Sequence, residues 1–191
     1  GRWINEHDWP QGPTVKSMYL GNENKLTKDA MRIDDILSSP QTCGMSSGEY
    51  CAIWLGPEMP GDQRGDDALS LCYDSESIAE DCDIVGAAKV KLRLTSDTAD
   101  GQIAVRLNHI HPDGASTRIT YGVLNLAQRD DHAHANALPI GQEIEVSLDL
   151  DHIAYRVPKG HKIRIAISNA YWPLLWPMPD ASTLQISQGE V

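Results

Sequence analysis

The chain has 191 residues, 41% of them hydrophobic, and carries a formal net charge of −11. That length most simply makes one domain with a sizeable core, and no apolar run approaches the length of a membrane span. The acidic balance repels phosphate backbones and anionic lipid, and the basic residues occur singly rather than in runs, so neither nucleic acid nor membrane is an expected partner.

The opening residues Gly1 to Pro10 show no initiator Met and no signal-peptide pattern, and read as a piece cut from a longer chain. Short strand-like segments separated by turn residues then account for nearly everything. They are Val15 to Leu20, Tyr50 to Leu55, Leu69 to Tyr73, Lys89 to Thr95, Gln102 to His109, Ser116 to Leu126, Glu143 to Leu150, Ile153 to Val157, His161 to Ser168 and Thr183 to Ser187. Three segments resist a strand reading: 25–45 as irregular chain, and 56–67 and 129–141 as polar loops. About ten strands with scarce helical periodicity mean an all-β sandwich or barrel.

Alternation is sharpest in the second half. Val90, Leu92 and Leu94, then Ile103, Val105 and Leu107, then Ile144, Val146, Leu148 and Leu150, then Ile163, Ile165 and Ile167 should line one core. Lys89, Lys91, Arg93, Glu143, Glu145 and Asp149 form the opposite, solvated face, and a one-residue slip would invert the set. The last of these strands runs into a loop holding Tyr171, Trp172 and Trp176 among Pro173, Pro177 and Pro179. Proline cannot donate to a ladder, so the chain leaves the sheet there carrying aromatics that must either plug the domain's own end or meet a partner.

Other constellations suggest chemistry less firmly. Gly44-Met-Ser46-Ser-Gly48 matches G-x-S-x-G, but polar loop precedes it and a strand pattern follows, the reverse of a nucleophile elbow, so it reads as a glycine-rich turn. His109 with His111 and His132 with His134 are two H-x-H pairs, each a workable metal half-site, with Asp113, Asp130 and Asp131 near in sequence. Ordinary loop and strand-end histidines are the expectation, with no metal and no cofactor. Asp62 to Asp67 contains Arg64-Gly-Asp66, an adhesion tripeptide, and three carboxylates that could begin a calcium loop, yet reads as a salt-bridged turn. Glu80 to Asp83 is similarly acidic and nonspecific, and His111-Pro-Asp-Gly114 is a turn. Cys43, Cys51, Cys72 and Cys82 lack zinc-site spacing and read mostly as small buried hydrophobes.

Several of these pieces, in this order, resemble the C-terminal domain of the X-prolyl dipeptidyl peptidase and cocaine esterase family of serine hydrolases. The residues that carry the resemblance are Asp62 to Leu71, Val105 to Arg118, Tyr121 to Leu126, Asp151 to Arg156, and Gly160 to Ser168 leading to Tyr171-Trp-Pro-Leu-Leu-Trp-Pro177. The resemblance implies a jelly-roll β-sandwich of the galactose-binding-like type over residues 13–191, with 1–12 connecting from an α/β-hydrolase domain that carries the triad, and a helical cap. It implies that the chain itself holds no catalytic residue, that its partners are those two domains, and that Tyr171, Trp172 and Trp176 serve in domain packing or at the cleft edge. A cytoplasmic location is expected, and a homo-oligomer is left open. The rival expectation is a free-standing module presenting the same aromatics to a carbohydrate or peptide.

Overall fold

The computed structural model describes residues 16–51 and 58–191; the expected connection at 1–12, Val15, and most of the expected strand Tyr50 to Leu55 lie outside these. Among the described residues the strands are β1 (Tyr19–Gly21), β2 (Lys25–Thr27), β3 (Asp35–Leu37), β4 (Leu71–Asp74), β5 (Cys82–Gly86), β6 (Lys89–Ser96), β7 (Gln102–Ile110), β8 (Ser116–Asn125), β9 (Ile144–Asp149), β10 (Ile153–Val157), β11 (Lys162–Ser168) and β12 (Leu184–Glu190), with a short α-helix, α1 (Arg64–Asp67), and 3-10 turns at Asn22–Asn24 and Leu126–Gln128.

Ten strands form a continuous sheet in the order β8-β7-β11-β4-β2-β1-β12-β6-β9, with β3 added beside β12, while β5 and β10 pair separately. The short β1 and β2 are the hinge between two layers. On one side lie β8, β7, β11 and β4, on the other β12, β6 and β9, and the sheet folds back until its two ends meet. Thr120 Oγ1 on β8 donates to the Asp151 carbonyl just past β9 at 3.0 Å. The result is a β-sandwich of jelly-roll type, whose closure leaves few unpaired strand edges.

The core follows the alternation. Val90, Leu92, Leu94, Ile103, Val105, Leu107, Val146, Leu148, Ile163, Ile165 and Ile167 are all buried in one cluster that spans both layers. Outward residues of β6 and β9 pair by charge in the observed register: Lys89 lies opposite Asp149 and Arg93 opposite Glu145, with ion pairs at 3.5 and 3.2 Å. Such exposed pairs contribute little stability but favour this register, since a one-residue slip would place Lys89 and Arg93 opposite apolar residues instead of carboxylates.

Four expectations need correction. The 25–45 segment is not wholly irregular, because Lys25–Thr27 and Asp35–Leu37 join the sheet through Leu26 and Leu37, both buried. The acidic stretch at 80–83 opens strand β5, paired with β10, where Arg156 neutralises Asp83 through two contacts of 2.6 and 2.5 Å. Part of the 56–67 loop closes into α1. Of the cysteines only Cys43 is buried; Cys72 and Cys82 are half-buried and Cys51 is exposed, all as free thiols.

Candidate functional site

The inner face of β7 is apolar, but its outer face is neither apolar nor exposed. Ala104, Arg106 and Asn108 are fully buried there, under α1 and the loops carrying Cys43 and Tyr171. A buried guanidinium needs a partner, and Asp67 supplies it. Its carboxylate accepts from Asn108 Nδ2 at 2.9 Å, Arg106 Nη2 at 3.4 Å, Ser116 Oγ at 2.7 Å and Arg164 Nη1 at 3.2 Å. Arg164 also grips Asp74 bidentately, at 2.6 and 2.9 Å, the fork geometry that suits arginine to carboxylate. The Cys72 thiol beside this network is pushed up to about 12, first by burial and next by Asp67, so it is no nucleophile at neutral pH.

Tyr171 sits over this layer and belongs to it. The side chain is completely buried, its ring 4.7 Å from the Arg106 guanidinium carbon, and its hydroxyl accepts from Arg118 Nη1 at 2.9 Å and donates to Gln63 Oε1 at 2.7 Å. Burial raises its pKa against the opposing pull of Arg118 and Arg106, which keeps the proton that Gln63 accepts. Tyr171 is thus a core residue, and the expectation that it lies at a packing surface or cleft edge is corrected; a phenol with two good partners is better satisfied inside than out.

Trp172 and Trp176 part company with it. They are 38% and 76% exposed and meet edge to face with ring centroids 5.5 Å apart. The backbone is held at Trp172 and just before Trp176: Trp172 N–H donates to the Cys43 carbonyl at 2.9 Å, Leu175 N–H to the Tyr171 carbonyl at 2.7 Å, and Ser47 Oγ to the Trp172 carbonyl at 3.3 Å. The Trp172–Pro173 peptide is cis. Met45, 76% exposed, rides on the same 43–48 loop.

That loop is the G-x-S-x-G segment, and its glycines serve packing. Gly44 has φ +111°, and a Cβ there would overlap the Trp172 backbone. Asp66 anchors the turn by accepting from Gly44 N–H at 2.8 Å and Ser46 N–H at 2.9 Å. The Arg64-Gly-Asp66 tripeptide therefore does not present its carboxylate outward, since Asp66 is buried. Nor do the three carboxylates of 62–67 converge as a calcium loop would need: Asp62 turns to Arg64 at 2.8 Å, Asp66 to the 44–46 backbone, and Asp67 to the β7 layer.

At the far end of β7 the histidines regroup. His109 and His111 stack with centroids 4.0 Å apart, and the third member is His161, at the entry to β11, whose Nδ1 lies 2.6 Å from His109 Nε2. His109 Nδ1 is 2.9 Å from Tyr155 Oη on β10. One nitrogen from each of the three imidazoles lies within 4.8 Å of the others. His109 is pushed down to about 4, by burial first and then by His111 and His161, so it is neutral at pH 7. His132 and His134 do not join them; His134 Nδ1 pairs instead with Asp131 at 2.5 Å on an exposed loop. Neither His161 nor Tyr155 is singled out by sequence spacing, because only the antiparallel register Ile163↔His109 brings the start of β11 to the end of β7.

Comparison with known proteins places this geometry in context. Residues 1–191 match the family described as the X-Pro dipeptidyl-peptidase C-terminal non-catalytic domain. The chain is 27% identical over 192 residues to a putative serine esterase of Mycobacterium bovis, covering 88% of this chain and 31% of that protein. It is 23% identical over 188 residues to cocaine esterase of a Rhodococcus species, covering 90% and 32%. It thus spans about a third of the length of the curated relatives it matches. Among solved structures, an alpha-amino acid ester hydrolase superposes with a TM-score of 0.76 at 15% identity, over 92% of this chain and 35% of that one. An aminopeptidase from a marine sediment Thaumarchaeota archaeon gives 0.74 at 15% identity, over 92% and 36%. No helix among the described residues is long and apolar enough to cross a membrane.

Proposed function

The chain belongs to the family of X-Pro dipeptidyl-peptidase C-terminal non-catalytic domains, and from that membership we propose that it serves as the docking sandwich of a serine hydrolase acting on ester or amide carbonyls. The partner is the α/β-hydrolase portion of the same enzyme, with its cap, and the contact is the exposed Trp172–Trp176 pair with Met45. The observation that carries this reading is the contrast between a hydrogen-bonded loop backbone and exposed rings. Cys43, Ser47 and Tyr171 fix the loop through hydrogen bonds, while the two indoles lie open. Preorganised aromatics of this kind carry a large share of the energy of an interface and give up little entropy on binding. The relatives named as esterases are about three times as long as this chain, which leaves ample length for a catalytic portion.

Chemistry by this domain alone is not part of the reading. Ser46 belongs to a turn whose neighbouring amides are taken by Asp66, and no histidine is among its hydrogen-bond partners within the described residues. The 191-residue chain is expected to show no turnover of an aryl acetate or an X-Pro anilide. Turnover that disappears in Ser46→Ala would overturn the reading. Four free thiols fit a reducing compartment, and a cytoplasmic location is proposed on that ground; a thiol titration on protein freshly isolated from its native cell should find all four reduced.

A further inference from the structure

Three imidazoles converge in the described structure without a carboxylate to balance them. The hydrogen-bond partners of His109, His111 and His161 among the described residues are Tyr155, Thr117 and one another. His109 is buried, and the other two are half-buried, so the cluster has one protected wall and one side open to solvent. We propose that His109, His111 and His161 form a binding site for a divalent transition-metal ion of the zinc class, with Tyr155 orienting His109 from behind.

The geometry supports ligation in three respects. First, the strand pleat puts His109 and His111 on one side of the β7 end, and β11 delivers His161 to the same place through a fixed register. Second, a phenol oxygen 2.9 Å from His109 Nδ1 accepts that nitrogen's proton and leaves the Nε2 lone pair directed at the cluster, the arrangement that second-sphere partners impose on metal-bound histidine. Third, neutral imidazole suits zinc, copper and nickel far better than calcium or magnesium, which take oxygen ligands. Tetrahedral bonds of about 2.0–2.1 Å place ligand nitrogens about 3.4 Å apart. The His109–His161 pair, now 2.6 Å apart, must open and the widest pair, within 4.8 Å, must close, changes of the size that small side-chain rotations provide. Water from the open side completes four-coordination. A bound ion would tie the ends of β7, β10 and β11 together and link the small β5–β10 sheet to the main sandwich.

The test uses the tag-free 191-residue chain, stripped with a chelator, and Zn²⁺ alone as the probe in calorimetry. One ion per chain should bind, and the melting temperature should rise with added Zn²⁺, as for any ligand that favours the native state. His161→Ala and His111→Ala should each weaken binding by at least about 100-fold, and Tyr155→Phe by about 10-fold, the scale set by loss of an orienting partner. Co²⁺ in place of Zn²⁺ should give a tetrahedral visible spectrum that His111→Ala abolishes. His111 is half-buried, and among the described residues its ring hydrogen-bonds to Thr117 alone, so that variant keeps its fold even where a His109 variant does not. Absence of Zn²⁺ binding at millimolar concentration, affinity unchanged in both alanine variants, or binding lost instead in His132→Ala or His134→Ala would each overturn the site.

Discussion

The two faces of β7 are both buried along its whole length and are built by opposite means, the inner one together with β11. On the inner face, Ile103, Val105, Leu107, Ile163, Ile165 and Ile167 are removed from water by contact with the other layer, and the hydrophobic effect alone holds them there. On the outer face, Arg106 and Asn108 are buried as deeply but are held by Asp67, Ser70 and the Tyr171 ring. The inner face tolerates adjustment of shape. The outer face does not tolerate loss of a partner, because an abandoned buried charge costs more than an abandoned methyl.

The outer face is most vulnerable at Asp67. Asp67→Ala takes the buried Arg106 guanidinium's charged partner away, leaving it Ser70 alone, removes the acceptor of Asn108 Nδ2, and should cost about 3–5 kcal/mol in urea-induced unfolding; a loss under about 1 kcal/mol would mean that the outer layer is wet. Tyr171→Phe keeps the ring over Arg106 but removes the hydroxyl that joins Arg118 to Gln63, and a loss of about 1–3 kcal/mol is expected in the same assay. Ile165→Val, on the inner face, deletes one methylene from a fully buried side chain and should cost about 0.5–1.5 kcal/mol. If the isoleucine change proves more damaging than the aspartate change, the ranking of the two faces is reversed.

The same contrast explains what could be read from the chain beforehand. The inner strands announce themselves because apolar residues at period two have one physical meaning, and Ile153–Val157 emerges with the bounds that pattern gives. Strand β5 hides because Cys82, Asp83 and Gly86 lack the branched or aromatic side chains that mark a strand, and Asp83 is stabilised by a distant Arg156. Arg106 alternates with Val105 and Leu107 as a solvated residue would, so its burial is invisible until α1 and the aromatic loop are seen to cover it. The aromatic loop was legible as an exit from the sheet, but not its division into one core tyrosine and two exposed indoles. That division depends on Gln63 and Arg118, which lie 108 and 53 positions away from Tyr171. The histidine cluster was half legible for a similar reason: H-x-H places two rings on one side of a strand, whereas the third ring arrives through sheet register.

In the proposed arrangement the outer layer is the seat of a docking pair: Tyr171 stabilises the fold and Trp176 serves the contact. The most direct measurement is the affinity of this chain for the separately produced catalytic portion of the proposed parent hydrolase, compared between wild type and Trp176→Ser, with melting temperatures recorded for both. Trp176 is 76% exposed, so the substitution should leave unfolding free energy within about 0.5 kcal/mol. Its removal from the interface should weaken association by about 30-fold or more, as expected for a tryptophan anchor worth about 2 kcal/mol. Equal affinity of the two proteins, with both folded, would contradict the proposed docking surface.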